Sequence, residues 1–466
     1  MKIYNSLSKK KQEFRTIKPR QIKMYVCGIT AYDHCHIGHA RSFLAFDTII
    51  RFFQLKKYKI IFVRNITDID DKIINKSQSE KIGIKEITNQ YISSMKKDVE
   101  SLNLISPSYE PKATDYIPHM LKFISKLIDK GFAYKSINGD IYYKVDKFKK
   151  YGELSCNKIT DLKQLDNNQK KDKFHDFALW KKSKKNEPRW ESPWGSGRPG
   201  WHLECSVMSM EILGESFDIH GGGSDLIFPH HENEIAQSES ITNKKLANYW
   251  MHVGCLNISK NKMSKSLKND ISIKQLLNQY NQEAIRLFFL GCHYRKAMDF
   301  TYDKMDECND IIVKLYLTLS DLEIKEEKLN AVIAKYDNDQ ECKYKKKFME
   351  AMDDDFNTPL ALSIIYDIDH HIQFLKKQGL QKKALHVAIK MVYLSNILGL
   401  LSENPLSFLQ NRKKVDIDFI EKKIQVRSLY KKNKKWKKAD DIRKELLEKN
   451  IQIQDLKNIT FWYIKK

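Results

Sequence analysis

The sequence has no long apolar segment and no cysteine pattern of the kind found in secreted proteins. No stretch approaches the roughly eighteen continuous apolar residues of a membrane-spanning helix, and the start of the chain has no apolar core like that of a secretory signal. The 8 cysteines include no C-x-x-C pair and no spacing typical of a small disulfide-bonded scaffold. We therefore predict reduced thiols, no membrane association and a cytoplasmic location.

Acidic residues are few relative to basic ones. Asp and Glu together number 59 against 82 Lys and Arg, and the formal net charge of +23 is carried mostly by lysine. This surplus favours a polyanionic partner, most simply RNA or DNA, although a lysine-rich surface can also serve solubility alone. With 466 residues, 41% of them hydrophobic, the chain is expected to be globular and to hold about two to four domains.

The first seventy or so residues have the pattern of a β-α-β unit. Residues 22–26 predict a short strand, 40–53 an apolar helix and 59–64 a second buried strand. Strand patterns return at 217–220 and 249–253. Strands that alternate with helices predict an α/β fold with a parallel, Rossmann-like sheet, whose ligand lies at the carboxyl ends of the strands.

The rest of the chain divides by composition. An irregular stretch at about 115–199, with a hairpin signal at Asn138-Gly139-Asp140, predicts an insertion in the sheet. Apolar residues at helical spacing after about residue 305 predict an all-α bundle, and a lysine-rich unit with one amphipathic helix follows it. The predicted segments are 1–245, 246–304, 305–405 and 406–466.

Two separate motifs have the chemistry of phosphate binding. The first, His36-Ile37-Gly38-His39, lies where a loop enters a helix, so backbone N–H groups and both imidazoles can face phosphate oxygens. The second, Lys262-Met263-Ser264-Lys265-Ser266, is a polar loop with two cations, of which Lys265 is the main candidate for a phosphate contact. Together they predict that ATP is cleaved at its α-phosphate.

Each motif alone has a plainer interpretation. With His34, the first motif reads H-x-H-x-x-H and could be a histidine cluster or a divalent-metal site. The second could be an ordinary solvated basic loop. Their joint presence favours the nucleotide hypothesis.

Four residues that are far apart in sequence make a reasonable ligand set for Zn²⁺, namely Cys27, Cys205, His230 and Glu234. His230 and Glu234 are four residues apart in a helical stretch, so both should point to one face. From the residues alone, Cys27 could equally be a small core side chain and His230 a histidine at a helix start. His231 is the competing ligand, ranked second because its spacing pairs it with Ile235.

The sequence resembles the class I aminoacyl-tRNA synthetases, and among them the cysteinyl-tRNA synthetase family. The resemblance covers nearly the whole chain and includes both phosphate motifs. Six further blocks carry it: Met24–Gly28, Val63–Lys72, Pro199–Ser206, Asp218–Leu226, Phe228–Glu234 and Ala351–Pro359.

The resemblance implies a ligase that activates cysteine with ATP and Mg²⁺ and transfers it to tRNA(Cys). It implies a catalytic Rossmann-like domain at 1–245, a region at 246–304 that contacts the tRNA stem, a helical bundle and a C-terminal α+β anticodon-binding domain. His36, His39, Lys262 and Lys265 would be catalytic, with Gly38 also at the ATP. One Zn²⁺ would be held by the four ligands above. The cysteine pocket would be lined by Gly28, Thr67, Trp201, His220 and Asp225.

The resemblance also implies that the anticodon is read by residues of the last domain, namely Lys431, Trp436, Asp440 and Asp455. The sequence departs from the family pattern at Lys268, Lys431 and Asn450, where Gly, Arg and Gly are usual. We expect a monomer. Two other functions stay open at this point: a cysteine ligase that acts on an amino-sugar through the same adenylate, and a non-catalytic zinc RNA-binding protein.

Overall fold

A computed structural model describes residues 1–157, 173, 175–258, 261–262, 270–322, 343–410, 417–455 and 460–464, with only the backbone at 261–262, 417, 454, 460–461 and 463–464. The chain forms two compact units. The first comprises residues 1–279, 289–301 and 350–359, and the second comprises 280–288, 302–349 and 360–466.

The strands, in chain order, are β1 (Lys2–Asn5), β2 (Lys10–Glu13), β3 (Gln21–Thr30), β4 (Lys59–Thr67), β5 (Ala133–Lys135), β6 (Ile141–Tyr143), β7 (Phe177–Lys182), β8 (Gly197–Pro199), β9 (Phe217–Gly223), β10 (Ala247–Val253), β11 (Leu256–Ile258), β12 (Asn261–Lys262), β13 (Met298–Phe300), β14 (Ile451–Asp455) and β15 (Thr460–Ile464). The α-helices are α1 (Ile37–Leu55), α2 (Asp71–Glu80), α3 (Ile84–Ser101), α4 (Ile117–Asp129), α5 (Trp201–Leu213), α6 (Glu232–Thr242), α7 (Ile273–Leu277), α8 (Gln282–Leu290), α9 (Tyr302–Ser320), α10 (Lys343–Asp353), α11 (Thr358–Lys377), α12 (Gln381–Ile397), α13 (Pro405–Gln410), α14 (Ile417–Lys432) and α15 (Trp436–Glu448).

A parallel sheet of four strands forms the centre of the first unit, in the order β10-β9-β3-β4. Most of its residues are buried, which is typical of parallel strands covered on both faces. α1 joins β3 to β4, so the predicted β-α-β unit is confirmed. β10 begins at Ala247, so the sheet continues just past residue 245, where the first predicted segment ends.

The stretch between β4 and β9 carries a second sheet of its own. Its four strands are antiparallel, in the order β5-β6-β7-β8. The predicted hairpin at 138–140 is confirmed, since Ala133 pairs with Tyr143 across that turn. Residues 158–172, most of the polar stretch inside the predicted insertion, lie outside the described residues.

Helices dominate the second unit, as the apolar spacing predicted. A buried carboxylate organises part of it: Glu283 accepts hydrogen bonds from the Tyr316 hydroxyl at 3.0 Å and from the backbone N–H groups of Leu401 and Ser402 at 2.8 and 2.9 Å. In the described part of the chain, no helix is both long enough and apolar enough to cross a membrane.

The C-terminal part of the second unit differs from the prediction of one amphipathic helix. It contains two helices, α14 and α15, and the antiparallel hairpin β14–β15. Ile420 and Ile424 on α14 pack with Leu446 of α15 and Trp462 of β15 in a small core. The apolar spacing of α14 is obscured in the sequence because Val426 and Leu429 are exposed.

Candidate functional site

A cleft of about 330 Å³ opens beside the carboxyl end of β3 in the first unit. This volume lies within the usual range for a small-molecule site. Its lining brings together residues of the predicted nucleotide, cysteine and metal sets: Cys27, Gly28, His36, Gly38, His39, Trp201 and Asp225.

The first phosphate motif forms the start of α1. The Gly38 N–H donates to His36 Nδ1 at 3.1 Å, and the His36 N–H donates to His39 Nδ1 at 3.1 Å, so the two rings cap the helix reciprocally. Because each Nδ1 accepts a backbone N–H, each neutral ring carries its proton on Nε2. Both imidazoles are therefore oriented as donors at a helix N-terminus, where anions bind favourably.

The second phosphate motif is described only in part. The backbone of Lys262 belongs to β12, whereas its side chain and residues 263–269, which include Lys265 and Lys268, lie outside the described residues. The flanking segments are attached to the first motif. The Ile37 N–H donates to the Ile271 carbonyl and the Ile273 N–H donates to the Cys35 carbonyl, both at 2.9 Å.

Arg41 links the same helix to the segment that precedes β11. Its buried guanidinium donates to the Cys255 carbonyl at 2.9 Å and also to the Lys296 carbonyl. β11 and β13 pair in parallel directly after these two carbonyls. Sequence analysis missed this residue, and the available signal was weak, because α1 also carries a second arginine, Arg51, among its mostly apolar residues.

The four predicted metal ligands lie together in a buried cluster, with their ligand atoms within 4.8 Å of one another. The Sγ atoms of Cys27 and Cys205 are 3.8 Å apart, and Cys27 Sγ lies 3.7 Å from Glu234 Oε1. His230 Nε2 lies 3.0 Å from Glu234 Oε1. Tetrahedral zinc with bonds of about 2.0–2.3 Å requires about 3.3–3.8 Å between ligand atoms. The donor types and the two separations from Cys27 Sγ therefore fit this ion, whereas His230 and Glu234 lie closer together than the ion requires.

Electrostatics at the cluster favour bound cations. A hydrogen bond from Cys27 lowers the pKa of the Cys205 thiol to about 6, whereas burial raises the pKa of Cys27 well above its usual value. Burial opposes charge on Glu234, but His220 and His230 lower its pKa to about 2. Burial opposes charge on His230 as well, but Glu234 and Cys205 raise its pKa to about 10. Two anionic ligands are thus present near neutral pH, and Cys27 and His230 would each release a proton when a metal binds.

Further histidines surround the cluster. His231 Nε2 lies 3.3 Å from Cys27 Sγ, and its Nδ1 lies 2.8 Å from His252 Nε2. His231, the second-ranked candidate ligand, therefore contacts the Cys27 thiol, which also belongs to the first-ranked set. His202, which sequence analysis missed although it lies in a quoted block, contacts His230 through Nδ1 atoms 3.0 Å apart. Burial lowers the pKa of His202, so its neutral ring accepts the His230 Nδ1–H and directs His230 Nε2 to the cluster.

The predicted cysteine-pocket residues border this cluster. Trp201 stacks on His230 with ring centroids 4.3 Å apart, and its side chain stays 38% exposed toward the cleft. His220 Nε2 lies 2.8 Å from Glu234 Oε2. Thr67 donates to Glu204 Oε2 at 2.9 Å. Gly28 has no room for a side chain, because a Cβ there would lie 1.8 Å from the Asn65 carbonyl oxygen.

The predicted anticodon residues lie in the second unit. Trp436, the first residue of α15, is 57% exposed, and Asp440 is exposed one turn later. Asp455 accepts from both Nη atoms of Arg427 at 2.7 and 2.9 Å and forms an ion pair with Lys431 at 3.0 Å. Arg427 is a buried partner that sequence analysis did not single out.

Comparisons with known proteins agree on one family. Residues 13–310 match the family described as "tRNA synthetases class I (C) catalytic domain", and residues 347–402 match the "DALR domain". The chain is 43% identical over 468 residues to a cysteine–tRNA ligase of Legionella pneumophila, covering 99% of this chain and 98% of that protein. It is 43% identical over 492 residues to one of Thermodesulfovibrio yellowstonii, covering 100% of each.

Solved structures agree at the level of the fold. Methionyl-tRNA synthetase of Mycobacterium tuberculosis, in complex with methionyl-adenylate, superposes with a TM-score of 0.57 at 14% identity, covering 81% of this chain and 89% of that one. The family assignment comes from the full-length relatives and the catalytic-domain match. This chain belongs to the cysteine–tRNA ligase family of the class I tRNA synthetases.

Proposed function

We propose that this chain activates cysteine with ATP as cysteinyl-adenylate and transfers the cysteinyl group to the 3′-terminal adenosine of tRNA(Cys). One observation carries the proposal: Cys27 lines the cleft that contains His36 and His39, and it also belongs to the buried cluster of metal-ligating side chains. A helix start suited to phosphate and a cluster suited to a thiol-binding metal thus line one cleft, which supports activation of a thiol amino acid.

In the activation step, a carboxylate oxygen of cysteine bonds to the α-phosphorus of ATP while the bond to pyrophosphate breaks. His36 and His39 would donate from Nε2 to phosphate oxygens that gain charge in the transition state. We propose that Lys262 and Lys265 neutralise the same charge from the second motif. No side chain has to act as a nucleophile, because orientation and charge stabilisation lower the barrier.

Selection of cysteine over serine is the role proposed for the metal centre. A Zn²⁺ ion held by Cys27, Cys205, His230 and Glu234 would bind the substrate thiolate far more strongly than a serine hydroxyl. Trp201, stacked on His230, would form the apolar wall beside the sulfur, and Asp225 would pair with the substrate ammonium. Thr67 and His220 would complete this pocket. A preference of about 10⁴ corresponds to about 5–6 kcal/mol.

In the transfer step, a ribose hydroxyl at the tRNA 3′ end attacks the activated carbonyl and AMP leaves. We propose that the C-terminal part of the second unit recognises the anticodon. Trp436 presents an exposed indole on which an unpaired base can stack, and Lys431 and Asp440 flank it with charges of both signs. In the described structure Asp455 is ion-paired with Arg427 and Lys431. We propose that these ion pairs either break when RNA binds or remain while the same side chains also contact the RNA.

We further propose that Mg²⁺ accompanies the nucleotide, that the chain acts as a monomer and that it works in the cytoplasm, where its RNA and nucleotide substrates occur. Sedimentation of the free protein tests the monomer directly: one chain per particle is expected, and a stable dimer would contradict it.

Aminoacylation is the direct test of the acceptor. The full chain is incubated with ATP, labelled cysteine and total tRNA, and the acylated tRNA is identified by hybridisation. Label on tRNA(Cys) alone is expected. Label found on an amino-sugar and not on tRNA would favour the amino-sugar ligase, and RNA binding without any acylation would favour the non-catalytic zinc protein.

A further inference from the structure

The metal centre offers more ligands than one tetrahedral ion can use. Besides the set already described, Cys27, His220, His231 and Glu234 also bring their ligand atoms within 4.8 Å of one another, and all four are buried. The two sets share Cys27 and Glu234. They differ in that one adds Cys205 and His230, whereas the other adds two imidazoles.

The geometry of the second set suits a metal ion. Cys27 Sγ to His231 Nε2 measures 3.3 Å, close to the separation of about 3.6 Å expected between sulfur and nitrogen ligands of tetrahedral zinc. His220 Nε2 lies 2.8 Å from Glu234 Oε2, whereas His230 faces Oε1 of the same carboxylate. Cys27 Sγ and His231 Nε2 lie 3.7 and 4.0 Å from Oε1, so both oxygens of Glu234 face members of the second set.

The two additional histidines are held differently: His231 has the hydrogen-bond contact at its second ring nitrogen that metal-bound imidazoles usually have, whereas His220 Nδ1 is buried without a hydrogen-bond partner among the described residues and its ring is held by stacking. His231 Nδ1 lies 2.8 Å from His252 Nε2, and this contact leaves His231 Nε2 directed at Cys27. His220 stacks on Trp250 with ring centroids 4.3 Å apart. His231 thus already presents Nε2 to Cys27, and a ring nitrogen of His220 lies within 4.8 Å of the other three ligand atoms.

We propose that Cys27, His220, His231 and Glu234 form a second zinc position that overlaps the first and holds the ion when Cys205 or His230 no longer binds it. This inference rests on the metal site of the proposed function. In the second position the ion has one thiolate and two imidazoles in place of two thiolates and one imidazole.

A double-mutant cycle tests the proposal on the full-length protein, with zinc affinity measured by competition against a chelator. His231→Gln is made both in the parent and in Cys205→Ser. In the parent it removes a group that contacts the ligand Cys27 without itself binding the ion, and a loss of at most about 10–100-fold is expected. In Cys205→Ser it removes a ligand, and we expect a loss at least tenfold larger than in the parent.

His202→Gln is the matched control, because His202 contacts only the first set, through His230. It should weaken zinc binding in the parent and have no effect in Cys205→Ser, the reverse of the pattern for His231→Gln. Equal effects of His231→Gln in both backgrounds would overturn the second position, and so would a folded Cys205→Ser protein that binds no zinc. If the parent protein does not bind zinc, the metal site of the proposed function is overturned instead.

X-ray absorption of the zinc-loaded proteins supplies a second readout. One imidazole is expected in the parent and two in Cys205→Ser, and a single imidazole in both would overturn the proposal. If Cys205→Ser does not fold, His230→Gln serves as the background for the same cycle, since it also disables only the first set.

Discussion

Contacts with neighbouring backbone groups fix His36 and His39 in the tautomer that their proposed role needs. Each ring uses Nδ1 to accept a backbone N–H, so the proton on Nε2 is fixed before any ligand arrives. A donor that is already oriented stabilises charge in the transition state without reorganising. The capping contacts and the proposed catalysis thus depend on the same tautomer.

The first prediction follows from this tautomer. His39→Ala should lower kcat for cysteine-dependent pyrophosphate exchange by about 10²–10³, because one oriented donor to the phosphates is lost. The KM for cysteine should change little. Steady-state exchange kinetics measure both, and His119→Ala, at a half-exposed histidine on α4, serves as the control. An unchanged kcat in His39→Ala would remove this histidine from the mechanism.

The sequence motifs predicted seven of the residues that line the cleft, whereas the contacts around those residues could not be predicted. Spacing along a helix ranked His231 below His230, but its contact with Cys27 depends on how β3 and the segment before α6 approach each other. His252 comes from β10, a third segment, so no local pattern connects it with His231. Such contacts follow from tertiary packing alone.

Among the elements, α1 carries both the first phosphate motif and the attachment of the neighbouring strands. Its first turn contacts the backbone at Ile271, and Arg41 near its start holds the carbonyls before β11 and β13. A single helix therefore sets the position of the described segments on both sides of the second motif.

Arg41→Lys tests whether Arg41 affects pyrophosphate exchange beyond its effect on the stability of the protein. A lysine cannot reproduce a forked contact with two buried carbonyls, so the free energy of unfolding should fall by about 1–3 kcal/mol. Pyrophosphate exchange should fall at least tenfold at temperatures where the protein stays folded. The measurements are urea denaturation and exchange kinetics on the same preparation.

Arg51→Lys is the matched control for that experiment. Arg51 lies on the same helix and donates to Asp47 and to the Asn103 carbonyl, both at 2.7 Å, but it does not line the cleft. The Arg51→Lys variant should have a lower free energy of unfolding and an unchanged rate of pyrophosphate exchange. Equal loss of exchange in the two variants would show that Arg41 acts through stability alone.

α3 supplies a prediction about pH. Burial raises the pKa of Asp98 to about 6, despite an opposing effect of Lys274. Because the folded-state pKa is higher than the unfolded one, the folded state binds this proton more tightly. The protonated Asp98 carboxyl therefore contributes fully to the free energy of unfolding below about pH 4, and this contribution is lost as the pH rises through about 6.

Asp98→Asn should therefore be more stable than the parent at about pH 7.5, on the order of 1 kcal/mol after solvent screening, with a smaller difference at about pH 5. Urea denaturation at the two pH values measures this difference. Glu100→Gln, at an exposed position on the same helix, should show no such pH dependence. A parent and an Asp98→Asn variant with parallel pH profiles would contradict the assignment.

Helices and strands with regular apolar spacing were predictable from the sequence. Those whose position depends on packing against other parts of the chain were not. The parallel strands read as buried apolar runs, and α11 and α12 as amphipathic helices. α14 was missed because exposed Val426 and Leu429 interrupt its buried face. The end of α15 was predictable from one residue: Asn450 adopts a φ of +62°, as expected where Asn replaces the glycine that commonly ends a helix.

For the whole molecule, the excess of positive charge supplies a general attraction to RNA, and specific contacts must supply the choice of tRNA. Trp436→Ala should weaken tRNA(Cys) binding by about 5- to 150-fold if one base stacks on the indole, which corresponds to about 1–3 kcal/mol. The salt dependence of binding should stay the same, because no cation is removed. Pyrophosphate exchange, which needs no tRNA, should be unaffected.

Phe374→Ala is the control for this prediction, since Phe374 on α11 is 58% exposed, almost the same as Trp436. Binding to tRNA is measured by filter retention at several salt concentrations. An equal loss in both variants, or none in Trp436→Ala, would contradict the proposed anticodon contact.

The central claim is that one cleft joins a nucleotide site to a thiol-selective centre through Cys27. The most direct test is ATP–pyrophosphate exchange by the zinc-loaded full chain, with cysteine and serine compared as substrates. The account predicts exchange with cysteine, a preference for cysteine over serine of about 10⁴ in kcat/KM, and loss of that preference after the metal is removed. No exchange with cysteine, or exchange equally fast with serine, would contradict it.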